Sequence, residues 1–466
     1  MKPTIIVAQP APPFAWALLS LSLSMLLAAL GTSIVNVGLP TLAEAFNASF
    51  QKVQWVLIAY LLAITTLIVS VGRLGDLLGK RRLLLGGISL FTLASALCGL
   101  APGLGLLIGA RALQGLGAAI MMALTMALVG ESVPKARTGS AMGLLGTMSA
   151  IGTALGPSLG GLLIDGFGWR AMFLVTVPMG LLTWLLAYRN LPADKPKLKS
   201  ARVGFDIPGT VLLALTLGAY ALAMTLGRGS FGLLNGALLL GAGVGLGLFI
   251  QVEARAGSPL IRLGMFGDRN VSASLVMNVL VSTVMMATLM VGPFYLAQGM
   301  GLEALQVGLV LSVGPVVAAL TGVPAGRVVD RFGARRITVA GLGAMVLGCL
   351  GLSALPLGSG IVGYVAPMMV VTLGYALFQT ANNTGVMAQV VEDQRGVIAG
   401  LLSLSRNLGL VTGASVLGAV FALASSAAAH NLAHPQAIAS GMRITFAVAL
   451  TLVGVALAIA LVNRSR

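Results

Sequence analysis

Apolar residues run along this chain in long blocks, broken at near-regular intervals by short stretches of glycine, proline and charge. About fourteen of the blocks approach the roughly 20 residues that a helix needs to cross a bilayer core. They are 15–38, 54–72, 83–101, 106–130, 139–163, 171–188, 207–226, 233–252, 272–297, 306–326, 337–357, 363–388, 397–425 and 441–463. A backbone in lipid has no water to bond, so a spanning segment must close its own hydrogen bonds, as a helix does. The pattern therefore predicts an all-α integral membrane fold with 14 transmembrane helices. No loop is long enough to hold a soluble effector domain.

Composition supports this. Of 466 residues, 58% are hydrophobic and 9% charged, and the mean hydropathy is +1.00; a soluble domain carries far more charge. In a soluble protein the formal net charge of +16 would suggest a nucleic-acid partner. Its placement excludes that here. With the N-terminus inside, only Lys52, Arg170 and Arg228 of the 28 lysines and arginines fall in outside loops, and Arg111, Arg406 and Arg443 lie in or beside spans. The rest fall inside. That imbalance is the positive-inside rule. It predicts a multi-pass protein of the cell inner (cytoplasmic) membrane with both termini cytoplasmic and the lipid bilayer, not nucleic acid, as its partner. Cys98 and Cys349 lie in separate spans and read as packing residues. His430 and His434 have no third ligand nearby, so no metal or cofactor is expected, and no cleaved signal peptide either.

One pattern occurs twice. Gly72-Arg73-Leu74-Gly75-Asp76-Leu77-Leu78-Gly79-Lys80-Arg81-Arg82 is answered by Gly326-Arg327-Val328-Val329-Asp330-Arg331-Phe332-Gly333-Ala334-Arg335-Arg336, both reading GxxxDxxGxRR. Such duplication divides the chain into two pseudo-symmetric six-helix bundles, 1–190 and 271–466. Between them, 191–270 supplies a cytoplasmic linker and an inserted helix pair. Paired bundles are how secondary transporters are built. Glycine, at 62 residues, lets spanning helices pack backbone to backbone where lipid offers no hydrophobic drive.

Four features together resemble the major facilitator superfamily, specifically its fourteen-helix drug:proton antiporter branch (EmrB/QacA-like). They are the duplicated loop; Arg111-Ala112-Leu113-Gln114-Gly115 in the fourth span; Gly143, Gly152, Gly156, Pro157, Gly160 and Gly161 in the fifth; and a branch-specific pair. The pair is Ile34-Val35-Asn36-Val37-Gly38-Leu39-Pro40 in the first span and Trp169-Arg170-Ala171-Met172-Phe173 opening the sixth. The resemblance implies a monomeric exporter that exchanges amphipathic small molecules for protons by alternating access. It also implies that the Gly/Asp/Arg loops form a cytoplasmic gate.

Each motif has its own physical logic. Glycines in the loop permit a tight turn, and Asp76 can cap the following helix or pair with Arg81 and Arg82. Leu77 replaces the family's usual basic residue, whereas Arg331 keeps it. An arginine at mid-membrane costs about 2.5–3.5 kcal/mol on insertion scales, so Arg111 must face a cavity or a partner, and Gln114 lies on its face. Arg406, followed by Asn407 and Gly409, is a second such charge. Asn36, Asn278, Gln379, Asn382 and Asn383 either line a pathway or bond helices together. Carboxylates are missing. Where the branch has an aspartate in the first span, this chain has Gly31, which leaves Asp165, Asp206 or Arg111 for any proton coupling. An arginine without a buried acid favours neutral, zwitterionic or anionic amphiphiles over dications. The alternative within transport is a facilitator or uptake symporter for a small organic solute. A membrane enzyme would need a nucleophile or metal cluster, and none is visible.

Overall fold

A computed structural model describes residues 14–132, 138–194, 207–226, 232–256, 264, 267–356, 358–389, 395–429 and 434–463. The described elements are helical throughout: α1 Phe14–Ala45, α2 Phe50–Val53, α3 Trp55–Leu78, α4 Lys80–Gly99, α5 Leu104–Ser132, α6 Thr138–Phe167, α7 Ala171–Leu174, α8 Thr176–Asn190, α9 Ile207–Thr225, α10 Leu233–Arg255, α11 Arg269–Phe294, α12 Ala304–Phe332, α13 Ala334–Ser353, α14 Gly360–Gln389, α15 Arg395–Thr412, α16 Gly418–Ala429 and α17 His434–Val462. Among the described residues, 13 helical segments are long and apolar enough to cross a membrane. The tenth predicted span lies on α12, whose described apolar part includes Ala304–Ala318.

Two spans carry π-helical turns, Tyr295–Gly299 after α11 and Gly413–Leu417 between α15 and α16. A π turn adds a residue to the ladder and re-aims the side chains beyond it. The sixth span is built from α7 and α8, which meet at Val175. Cys98 and Cys349 are both buried thiols.

The duplicated loops make the same turn twice. Gly79 and Gly333 adopt φ of +94° and +84°, a region that L side chains avoid. Each is the single residue between two helices, α3 and α4 or α12 and α13, and its N–H closes on Gly75 or Val329. These turns mark one end of the molecule, here the loop end.

At the opposite end the two halves are sealed. Phe50 of α2 lies between Phe294 and Phe421, with ring centroids 4.7 and 5.1 Å away. A Cβ added to Gly161 of α6 would come within 2.5 Å of the Ala304 carbonyl oxygen, and one added to Gly308 of α12 would strike the Pro157 carbonyl. Accordingly one buried apolar cluster runs through both halves at this end, from Leu30 and Val53 to Val307 and Phe446. Toward the loop end the buried residues separate into a first-half cluster around Leu21, Leu84 and Leu128 and second-half clusters around Leu401 and Val329. Among the described residues, the halves are in contact at the end opposite the loops.

The inserted hairpin docks beside this seam. Trp55 Nε1 donates to Thr225 Oγ1 at 3.0 Å, and Ser70 and Thr210 hydroxyls meet at 3.0 Å, so α9 lies along α3. Tyr220 reaches the side chain of Thr412 on α15. Asn235 closes the hairpin by donating to the carbonyls of Ala223 and Leu226.

The seal gives a direct expectation. Gly161→Ala forces two backbones apart, and overpacking of this kind costs about 1–3 kcal/mol. Labelling of Phe50→Cys by a membrane-impermeant maleimide should become several-fold faster in the Gly161→Ala background. Gly166→Ala, whose added methyl would meet nothing within 4 Å, should leave the rate unchanged.

Candidate functional site

Arg111 is fully buried, and its guanidinium organises the first half. Nε donates to the Val56 carbonyl and one terminal nitrogen to the Gly31 carbonyl, both at 3.0 Å. The same nitrogen donates to Gln114 Oε1 at 2.5 Å. Gln114 passes the chain on: its Nε2 donates to Ser95 Oγ at 2.7 Å, which donates to the Phe91 carbonyl at 2.7 Å. The guanidinium lies 4.1 Å from the Tyr60 ring centroid and 6.0 Å from that of Phe173. The Tyr60 hydroxyl donates to Ala28 at 2.9 Å. One guanidinium thus ties α1, α3, α4 and α5 together. Its other terminal nitrogen has no hydrogen-bond partner.

The position of Gly31 explains its residue type. A Cβ there would lie 3.0 Å from the Phe91 ring and 3.2 Å from the Tyr60 hydroxyl. With no side chain there, the helix offers Arg111 its backbone carbonyl. The first-span motif and the motif opening the sixth span meet nearby: a Cβ on Gly38 would strike Met172, and Phe46, Trp169 and Phe173 form an aromatic train.

The fifth-span glycines form a backbone contact. Added Cβ atoms at Gly152, Gly156 and Gly160 would collide with Leu26, Ser33 and Ile34 of α1, whereas Gly161 faces α12. Ser33 Oγ donates to the Gly152 carbonyl across the seam at 3.1 Å. Gly143 lies within α6, in a part whose surroundings are outside the described residues.

In the first loop, Gly72 and Asp76 lie within α3, and the Asp76 side chain is outside the described set. The carboxylate seen at the start of α4 is Asp194, just after α8. It accepts from the backbone N–H groups of Arg81 and Arg82 at 2.9 and 3.1 Å. The Arg81 guanidinium donates to the Tyr188 carbonyl and lies over that ring. Sequence reading missed Asp194, because a cap 113 residues away leaves no local signal. In the second loop Gly326 lies within α12, and Asp330, Arg331, Arg335 and Arg336 are all exposed.

The polar residues of the second half divide. Asn278 bonds helices together: its Nδ2 donates to the Leu402 carbonyl and Ser405 Oγ at 2.9 and 2.8 Å. Asn382 Nδ2 reaches the Ser274 carbonyl at 3.4 Å. Gln379 Oε1, Asn383 Oδ1, Arg406 Nε and Asn407 Nδ2 are buried atoms without partners, as is Asn36 Oδ1 in the first half. Asp165 is exposed and Asp206 lies outside the described residues. Among the acids whose surroundings are described, Glu253 of α10 is the buried one, at 3% exposure. Its place at the end of an apolar run hid it from the sequence.

The profile of the Major Facilitator Superfamily matches residues 21–414. Riboflavin transporter RibZ of Clostridioides difficile (strain 630) is 31% identical over 87% of this chain and 88% of its own length. Multidrug resistance protein Stp of Mycobacterium tuberculosis (strain ATCC 25618 / H37Rv) is 34% identical over 87% and 75%. Multidrug efflux pump LfrA of Mycolicibacterium smegmatis (strain ATCC 700084 / mc(2)155) is 30% identical over 88% and 81%. Among solved structures, a bacterial homolog to the human lysosomal transporter Spinster, inward-facing and unoccupied, aligns with a TM-score of 0.69 at 14% identity over 97% of both chains. A D-xylose-proton symporter aligns with a TM-score of 0.66 at 16% identity, covering 94% of this chain and 97% of its own. These structural likenesses carry the fold alone. With the profile matching most of the helical chain and transporters as relatives along most of their lengths, the chain belongs to the major facilitator superfamily, and it is a multi-pass membrane transporter and not an enzyme.

Proposed function

We propose that this chain is a proton-coupled exporter of amphipathic small molecules, a monomer of the fourteen-helix drug:proton antiporter branch, working by alternating access in the inner membrane. The observation that carries this reading is the α6 seam. The glycine-proline helix associated with exporters is itself part of the contact between the halves, through Gly161 against Ala304 and Pro157 against Gly308. Two six-helix bundles, 1–190 and 271–466, rock about it, and α12 serves as the fourteenth span. The relatives named as multidrug efflux proteins support the same direction. Positive charge concentrated at the loop end supports cytoplasmic termini.

Proton coupling on this reading uses Glu253, which is buried where Asp165 is exposed. Arg111 serves as a fixed positive node, and the absence of an acid at Gly31 disfavours dications. The alternative is uptake or facilitated passage of a small organic solute. The riboflavin transporter among the relatives favours that second reading.

Proton release from proteoliposomes under a pH gradient, on adding cationic, neutral and anionic amphiphiles in turn, separates the two. Release with neutral or anionic compounds is expected, and Glu253→Gln should abolish release while leaving binding. Substrate flux without release in the unmodified protein would sink the antiport reading in favour of a facilitator.

Gly31→Asp restores a carboxylate beside Arg111. It should extend transport to cationic dyes, measured as export relative to a neutral dye. Its new Cβ crowds Phe91, so thermal stability in detergent should fall by about 1–3 kcal/mol, and Phe91→Leu in the same chain should recover part of it.

A further inference from the structure

Gln54 joins α2 to α3 at the sealed end and is 1% exposed. Its backbone is engaged on both sides: the N–H donates to the Phe50 carbonyl, and its own carbonyl accepts from Leu57 and Ile58. Its side-chain amide is not. Oε1 and Nε2 are both buried without a hydrogen-bond partner, and among the described residues no other amide side chain is left so at both atoms. Buried amides elsewhere are spent on neighbours, Gln114 on Arg111 and Ser95, Asn235 on two carbonyls. Folded proteins satisfy buried polar groups almost without exception.

The place of Gln54 makes the exception informative. A Cβ built on Gly418 of α16 would lie 2.5 Å from Gln54 Oε1 and 3.3 Å from Met290 Sδ of α11, so this amide of the first half is pressed against second-half backbone. One turn before it, Phe50 is the ring held between Phe294 and Phe421. Local register brings Gly418 to this point. Gly409 and Gly413, four residues apart, press on the Val279 and Thr283 carbonyls of α11. The π turn Gly413–Leu417 then adds a residue, so the third glycine comes five positions on. The seal therefore has two glycine contacts between halves, Gly161 against a backbone carbonyl and Gly418 against an unpaired amide.

These contacts act in opposite senses. Aromatic and backbone packing favours closure. Closing around Gln54 forfeits the hydrogen bonds its amide makes in water, and parting the halves restores them.

We propose that Gln54 is a release built into the seal: buried without partners when the halves meet, it keeps the closed end near balance with the open one, so that this end can part during transport. The inference goes beyond the efflux reading and is indifferent to transport direction and coupling ion.

Spin labels on Lys52→Cys and Gln436→Cys, exposed positions of this end on opposite halves, test it in the purified full chain in lipid nanodiscs. Both native thiols are buried, and opening reads as a longer distance between labels. The unmodified sequence should show both distances. Gln54→Leu, which removes the amide and keeps most of its volume, should lower the open-to-closed ratio about tenfold, the scale of one buried unpaired polar group. It should also raise Tm, whereas loss of a merely supporting side chain lowers it. Gly418→Ala drives a methyl group against Oε1 and should raise the ratio; in a Gln54→Ala chain, where that methyl has room, the same substitution should change it less than about twofold. Should Gln54→Leu fail to fold, Gln54→Met, unbranched like glutamine, carries the test with the same expected fall. A ratio that holds or rises in the folded variant overturns the inference, as does absence of the open distance from the unmodified sequence.

Discussion

A guanidinium in an apolar interior must be given acceptors from every direction, and Arg111 imposes that demand on the first half of this transporter. Its partners are two backbone carbonyls, an amide oxygen and two aromatic faces, drawn from α1, α3, α5 and α7. Hydrogen bonds to a charged group contribute about 1.5–3 kcal/mol each, so the set offsets an insertion cost of about 2.5–3.5 kcal/mol. The geometry then fixes other choices. Gly31 must lack a side chain for Phe91 and Tyr60 to close over the site, and a Cβ on Gly115 would strike the Tyr60 carbonyl, so α5 and α3 stay near enough for Arg111 to reach Val56.

A second constraint acts between helices. Hydrocarbon solvates leucine as well as a protein core does, so spanning helices gain by close backbone contact, and a methyl group is enough to prevent it. Gly152, Gly156 and Gly160 recur at every fourth residue and hold α6 on α1, and Gly161, one position round, presses on α12. The same helix therefore serves two partners with two adjacent faces. Polar bonds add only local definition, such as Ser33 to the Gly152 carbonyl.

Much of this was legible in the sequence, for a physical reason in each case. Spanning helices announce themselves because lipid demands long apolar runs, and Gly79 and Gly333 because a one-residue turn at positive φ excludes other residues. The α6 stripe was readable as packing, though not its split between α1 and α12. What stayed hidden depends on contacts between distant segments. Nothing near Asp194 signals that it caps α4, and nothing in α9 signals that Thr225 awaits Trp55. Asn278 and Gln379 look alike as span amides, yet one is spent bonding two helices and the other retains a free acceptor. The distinction between a structural and an available polar group is made by neighbours, not by residue type.

That distinction bears most on the arginines. Charge at membrane depth is costly wherever it stands, so retention of two such residues calls for two reasons. The cage around Arg111 supplies one: enough committed acceptors that the buried residue holds the bundle together. No such cage surrounds Arg406, which is partly exposed and whose buried Nε makes no hydrogen bond. A transporter needs some of its binding capacity unfilled when empty, because only groups left unsatisfied can gain from a substrate. The two arginines therefore differ in what they are committed to: Arg111 maintains a bundle, and Arg406 keeps a donor unspent.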